Sequence, residues 1–140
     1  MRLEVRDLQS AVVSTEHLSQ VASRTAARVG LVADHVGLVL VDDERIQEMN
    51  LRFRGYDRST DVLTFAEDGE GLDGEIIISV ESAERQARDA GHPAESELAW
   101  LVAHSVLHLA GMDDETEDGL NAMLLEQRAI MVELGIKVCA

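Results

Sequence analysis

Ala94-Glu95-Ser96-Glu97-Leu98-Ala99-Trp100-Leu101-Val102-Ala103-His104-Ser105-Val106-Leu107-His108-Leu109-Ala110 is the stretch whose reading decides the fold. Leu98, Ala99, Trp100, Leu101, Val102, Val106, Leu107 and Leu109 leave it almost no polar face. A helix of that kind belongs in a core, with the rest of the chain packed around it. Pro93 suits its first turn. Gly111 ends it, because glycine enters the left-handed region without strain. His92, just before the proline, reads as a cap or loop residue rather than a ligand.

Working outward, the segments on either side supply the partners. Leu3 and Val5 alternate with Arg2, Glu4 and Arg6, the pattern of a strand with one wet face. Ser14 or Thr15 caps a helix with Leu18, Val21, Ala22, Ala26 and Val29 on one side, stopped by Gly30. Val36 to Val41 is a continuous apolar run, which predicts a central strand covered on both faces. Asp42 and Asp43 cap the next helix, with Ile46, Met49 and Phe53 inward and its end near Gly55. Val62 to Phe65 and Glu75 to Val80 read as two further strands, separated by an acidic glycine-containing loop, Glu67 to Asp73. A short helix follows with Ala83, Ala87 and Ala90 inward, and the pairs Glu81/Arg85 and Glu84/Arg88 have the spacing that supports helices. After Gly111 comes a last amphipathic helix with Leu120, Met123, Leu124, Met131 and Leu134 inward. The fold class is α+β: a single sheet of about four strands packed with about five helices. Residues 1–140 read as one domain.

The totals narrow the function. The formal net charge is -15, from 27 acids against 12 bases. That charge argues against non-specific attraction to nucleic acid or an anionic membrane, and neither DNA nor a membrane is an expected partner. No apolar run reaches membrane-spanning length. Cys139 is the sole cysteine and has no internal partner, which suits a reducing cytoplasm. The bases are uneven: Arg52, Arg54 and Arg58 fall together, while acids crowd Glu67 to Glu75 and Asp113 to Asp118.

His104 and His108 lie one helical turn apart and share a face. That spacing lets two imidazoles grip one metal ion. A turn at Gly111 brings the chain back, so Asp114 reaches the same ion and a coordination position stays open. The competing reading has two hydrogen-bonded core histidines, with Asp114 capping the last helix. Glycine and a downstream acid in this spacing favour the metal, and Asp113 is a rival third ligand. The spacing also occurs in metzincin proteases, which need a glutamate after the first histidine. Ser105 stands there, and it is a poor base.

At this point the chain resembles the YbeY family of bacterial endoribonucleases. Its zinc motif, H-G-x-L-H-L-x-G-Y-D-H, is followed in register by His104 to Asp114. A second motif, N-x-x-[FY]-R-G-x-D-x-x-T-[DN]-V-L-S-F, is met by Asn50 to Phe65. A third, G-[DE]-I-x-I-S, is met by Gly74 to Ser79. The departures are Asp114 for the third histidine, Ser105 for glycine, Met112 for tyrosine, Thr64 for serine and Ala66 for proline.

The resemblance implies a zincin-like metal site on the buried helix, with Zn²⁺ held by His104, His108 and Asp114. A carboxylate in that shell also admits other divalent metals. It implies cleavage of single-stranded RNA, in maturation of the 3′ end of small-subunit ribosomal RNA, ribosome assembly and quality control. The expected partners are ribosomal RNA, the small subunit and its assembly factors. The family's arginine matches Arg54, expected to hold the scissile phosphate. Arg52 and Arg58, on either side of it, would track the backbone, or at least one of them simply faces solvent. Thr60 and Asp61 either orient the site or simply start a strand. The alternative function is a non-catalytic ribosome-assembly factor with a structural or weak metal site.

Overall fold

The computed structural model describes residues 1–66 and 71–139. Its elements run β1 (Arg2–Asp7), α1 (Thr15–Val29), β2 (His35–Val41), α2 (Asp43–Arg54), β3 (Val62–Ala66), β4 (Gly74–Ser79), α3 (Val80–Ala90), α4 (Ala94–Leu109) and α5 (Glu117–Glu133). The strands form one sheet in the order β1-β2-β4-β3. β1, β2 and β4 are parallel, and β3 runs antiparallel to β4 at the edge. This is the expected α+β arrangement of four strands and five helices. Part of the anticipated acidic loop, residues 67–70, lies outside the described residues. No helix among those described is long and apolar enough to cross a membrane.

Strand alternation divides the core in two. Val36, Leu38, Leu40, Ile76 and Ile78 join the larger core with Leu18, Val21, Leu98, Val102, Val106 and Ile130. The apolar run of α4 is explained by this position. It has α1, α3 and α5 as neighbours and the sheet beneath. The other face is thinner: Val39, Val41, Leu63 and Ile77 meet Ile46 of α2.

Several expected side-chain placements are corrected. Phe53 was expected inward but is 58% exposed. α2 packs on β3, β4 and, through its first turn, α3, so its last turn has no second layer to bury a ring. Leu120, in the first turn of α5, is 39% exposed, and Ala90 at the end of α3 is exposed too. Ser14 precedes α1 without a capping side-chain bond, whereas Asp42 caps α2 by accepting from the Arg45 N–H.

The within-helix pairs expected in α3 do not close among the described residues. Arg85 instead reaches Asp43 across to α2, Nη1 to Oδ2 at 2.7 Å. Ser79 and Ser82 hydroxyls donate to Asp43 Oδ1 at 2.6 and 2.7 Å. Burial opposes the charge on Asp43, but these hydrogen bonds from Arg85, Ser79 and Ser82 win and hold its pKa at about 2. The node ties the start of α2 to the start of α3. At the opposite end of the sheet, Asp73 Oδ2 accepts from the Asp34 and His35 N–H groups at 2.7 and 2.9 Å. The His35 N–H, then the Asp34 N–H, lower the Asp73 pKa.

Candidate metal centre and its neighbouring surface

Two side chains leave the otherwise buried α4 through its last turns. His104 and His108 are partly exposed, and their rings meet edge-on with centroids 4.6 Å apart. The helix then ends in a Schellman turn: Met112 N–H bonds the Leu107 carbonyl and Gly111 N–H the His108 carbonyl, both at 3.0 Å. Gly111 takes φ 92°, as that turn requires. The chain reverses, and Asp114 comes over the two rings.

Asp114 Oδ2 lies 3.6 Å from His104 Nε2, and its Oδ1 lies 4.0 Å from His108 Nε2. Ligand atoms of His104, His108 and Asp114 all fall within 4.8 Å of one another. The rival, Asp113, is not in this group; its Oδ1 accepts from the Glu115 N–H at 3.1 Å, closing a local turn. Asp114 does not cap α5 either. That position belongs to Thr116, whose hydroxyl accepts from the Gly119 N–H.

The hydrogen bonds behind the rings decide which nitrogens face the cluster. His108 Nδ1 lies 3.0 Å from the Met112 carbonyl, so it carries the proton and donates. His104 Nδ1 lies 3.2 Å from Gln127 Oε1. The same amide's nitrogen donates to the Trp100 carbonyl at 3.3 Å, so its oxygen is the atom facing His104. Both rings therefore present bare Nε2 lone pairs, only 3.0 Å apart. Two lone pairs beside a carboxylate repel unless a metal ion or a shared proton sits among them. Tetrahedral Zn²⁺ with bonds of about 2.0–2.1 Å would set its ligands roughly 3.3 Å apart. The three side chains fit such an ion.

Gln127 is the site residue that sequence reasoning missed. It is 1% exposed and lies on the inward stripe of α5 between Met123 and Met131. A polar residue on an apolar stripe was the available signal. Ser105, next to His104, is fully buried and its hydroxyl has no partner among the described residues. It faces the core, where it cannot act as a base on a substrate.

Arg54 is not brought to the triad. It belongs to α2, which packs on the opposite face of the sheet. Its guanidinium carbon stands 6.0 Å from the Phe65 ring centroid. Yet both groups meet the same end of the sheet. Phe65 and Ala66 pair with Glu75 and Gly74. On one face Leu109, adjacent to His108, packs so closely that a Cβ on Gly74 would lie 2.7 Å from it. On the other, Phe65 meets Phe53 with centroids 5.6 Å apart. Thr60 and Asp61 do not touch the triad. Asp61 Oδ1 accepts from the Val62 N–H at 2.8 Å and Oδ2 from Gln86 at 3.3 Å, which braces the start of β3.

Comparison with known proteins gives these residues a context. The family model described as Endoribonuclease YbeY matches residues 3–135. A relative from Desulforamulus reducens, named Endoribonuclease YbeY, is 36% identical over 97% of this chain and 99% of its own. One of the same name from Moorella thermoacetica is 40% identical over 86% of each. The solution structure of TM1509 from Thermotoga maritima superposes with a TM-score of 0.64 at 31% identity, covering 93% of this chain and 91% of that one. With the family model spanning nearly the whole sequence, the chain belongs to the endoribonuclease YbeY family.

Proposed function

We propose that this chain is a metal-dependent, single-strand-specific endoribonuclease acting in maturation of the 3′ end of small-subunit ribosomal RNA. The observation that carries the metal part is the convergence of two bare Nε2 atoms on the Asp114 carboxylate. The relatives' shared name supports the nuclease part. His104, His108 and Asp114 would hold the ion, with Zn²⁺ our assignment and other divalent metals admitted by the carboxylate. When bound, the ion supplies Lewis acidity toward a phosphoryl oxygen or an attacking water.

The chain's own groups do the rest. Gln127 and the Met112 carbonyl orient the imidazoles. Arg54 is assigned to a substrate phosphate, with Arg52 and Arg58 along the same strand. Because α2 and α4 meet one end of the β3–β4 pair from opposite faces, the RNA would cross the edge at β3. The partners we assign are ribosomal RNA, the small subunit and its assembly factors, in the cytoplasm.

Single-turnover cleavage of a single-stranded RNA oligonucleotide tests the proposal. Cleavage is expected with Zn²⁺, lost on chelation, and reduced at least tenfold in Arg54→Ala. Background-level cleavage in all samples would leave the second reading, a non-catalytic assembly factor. Asp114 in place of the family's histidine favours that reading, as does the absence of a general base from the described contacts of the triad.

A further inference from the structure

Aromatic residues are scarce in this chain: two phenylalanines, one tyrosine and one tryptophan. Three of the four fall between Phe53 and Phe65, outside the main core. Phe53 and Tyr56 are 58% and 53% exposed. Each has an arginine over its ring, Arg52 at 5.5 Å from the Phe53 centroid and Arg58 at 5.0 Å from that of Tyr56. Exposed apolar residues scattered singly need no explanation. Here two rings with cations against them sit at the end of one helix, in a protein of net charge -15.

We infer that Phe53 and Tyr56 form a stacking platform for unpaired nucleobases, and so select single-stranded RNA. The inference rests on the RNA reading above and goes beyond it by naming what contacts the bases. Arginine neutralises phosphate but tolerates a duplex equally well. An aromatic face requires the base to be unstacked from its neighbours. Phe53 also lines a cleft of about 1040 Å³ between α2 and the open sheet face, whose floor includes Met49, Phe65 and Ile77. Glu44 and Glu48 line the same cleft and repel phosphate, while Arg45 and Arg52 line it too and attract it. Phosphate is thereby drawn to the arginines within the cleft and bases to its apolar floor.

The test is fluorescence anisotropy in chelator, so that neither the metal nor cleavage enters. A short single-stranded RNA is compared with an abasic strand of the same phosphate number. The parent protein should bind the base-bearing strand at least fivefold more tightly, the effect of one stacked base. Phe53→Leu and Tyr56→Leu should each shrink that preference while leaving abasic binding unchanged, and Phe53→Tyr should retain it. Both side chains are more than half exposed, so unchanged circular-dichroism melting is expected and verifies the fold. Equal binding of the two strands by the parent overturns the stacking platform and leaves the RNA reading standing. Binding of neither strand overturns both.

Discussion

Gln127 Oε1 fixes which nitrogen of His104 faces the cluster, and that makes it sensitive to substitution. Gln127→Met keeps the length but removes the acceptor. Zn²⁺ affinity should fall tenfold or more, the usual effect of losing a group that orients a metal-bound imidazole. Competition with a chromophoric chelator measures it. Gln127→Glu keeps an oxygen for His104 and should stay closer to the parent. Unchanged affinity in Gln127→Met would show that another group sets the His104 tautomer. The three candidate ligands were legible because one-turn spacing and a helix-ending glycine are local features. Gln127 was not, since its position on a stripe says only that it is buried. Its bond to His104 depends on where α4 lies. Phe53 failed for the converse reason: periodicity pointed it inward, but burial needs a neighbour, and α2 has little beyond the sheet.

At the level of elements, the loop carrying Asp114 is held by the first turn of α5. A Cβ on Gly119 would lie 2.4 Å from the Asp113 carbonyl oxygen, a backbone atom that cannot step aside alone. Gly119→Ala should therefore displace this loop and weaken Zn²⁺ binding severalfold, although alanine improves helix propensity by about 1 kcal/mol. Chelator competition and thermal melting on the same variant separate the two effects. The Asp43 node joins α2 to α3 in a similar way. Its folded pKa, about 2, lies below the ordinary 3.8, so ionisation favours the folded state. That contribution is complete above about pH 4 and is lost as pH falls toward 2. Allowing for partial exposure, it amounts to about 1–2 kcal/mol. Asp43→Asn should lower the unfolding free energy by that much at neutral pH, with the gap closing in acid, as read by urea titration at several pH values. Asp42 was legible as a helix cap; the pairing of Asp43 with Arg85 was not, because it spans two elements that only the sheet order brings together.

For the whole molecule, net charge and local charge oppose each other. At -15 the protein repels RNA on average, so electrostatic attraction to phosphate must be local, and Arg52, Arg54 and Arg58 near the end of α2 are the groups assigned to it. If Arg52, Arg54 and Arg58 each meet a phosphate, log K should fall against log salt with a slope of about -2 for a single strand. Anisotropy titrations over a range of salt concentrations, in chelator, give the slope; a flat line would remove phosphate contacts from the proposal. The sequence by itself determined the order of strands and helices, the buried character of α4, the shared face of His104 and His108, and the turn that returns Asp114. All of these depend on periodicity and spacing within one or two turns of chain. Only the tertiary structure decided that Gln127 backs His104, that Arg85 leaves its own helix for Asp43, and that the arginines and the histidines meet one end of the sheet from opposite faces. The last two relations follow from the strand order β1-β2-β4-β3, and the first from the packing of α5 on α4, which together set the distance between residues far apart in the chain.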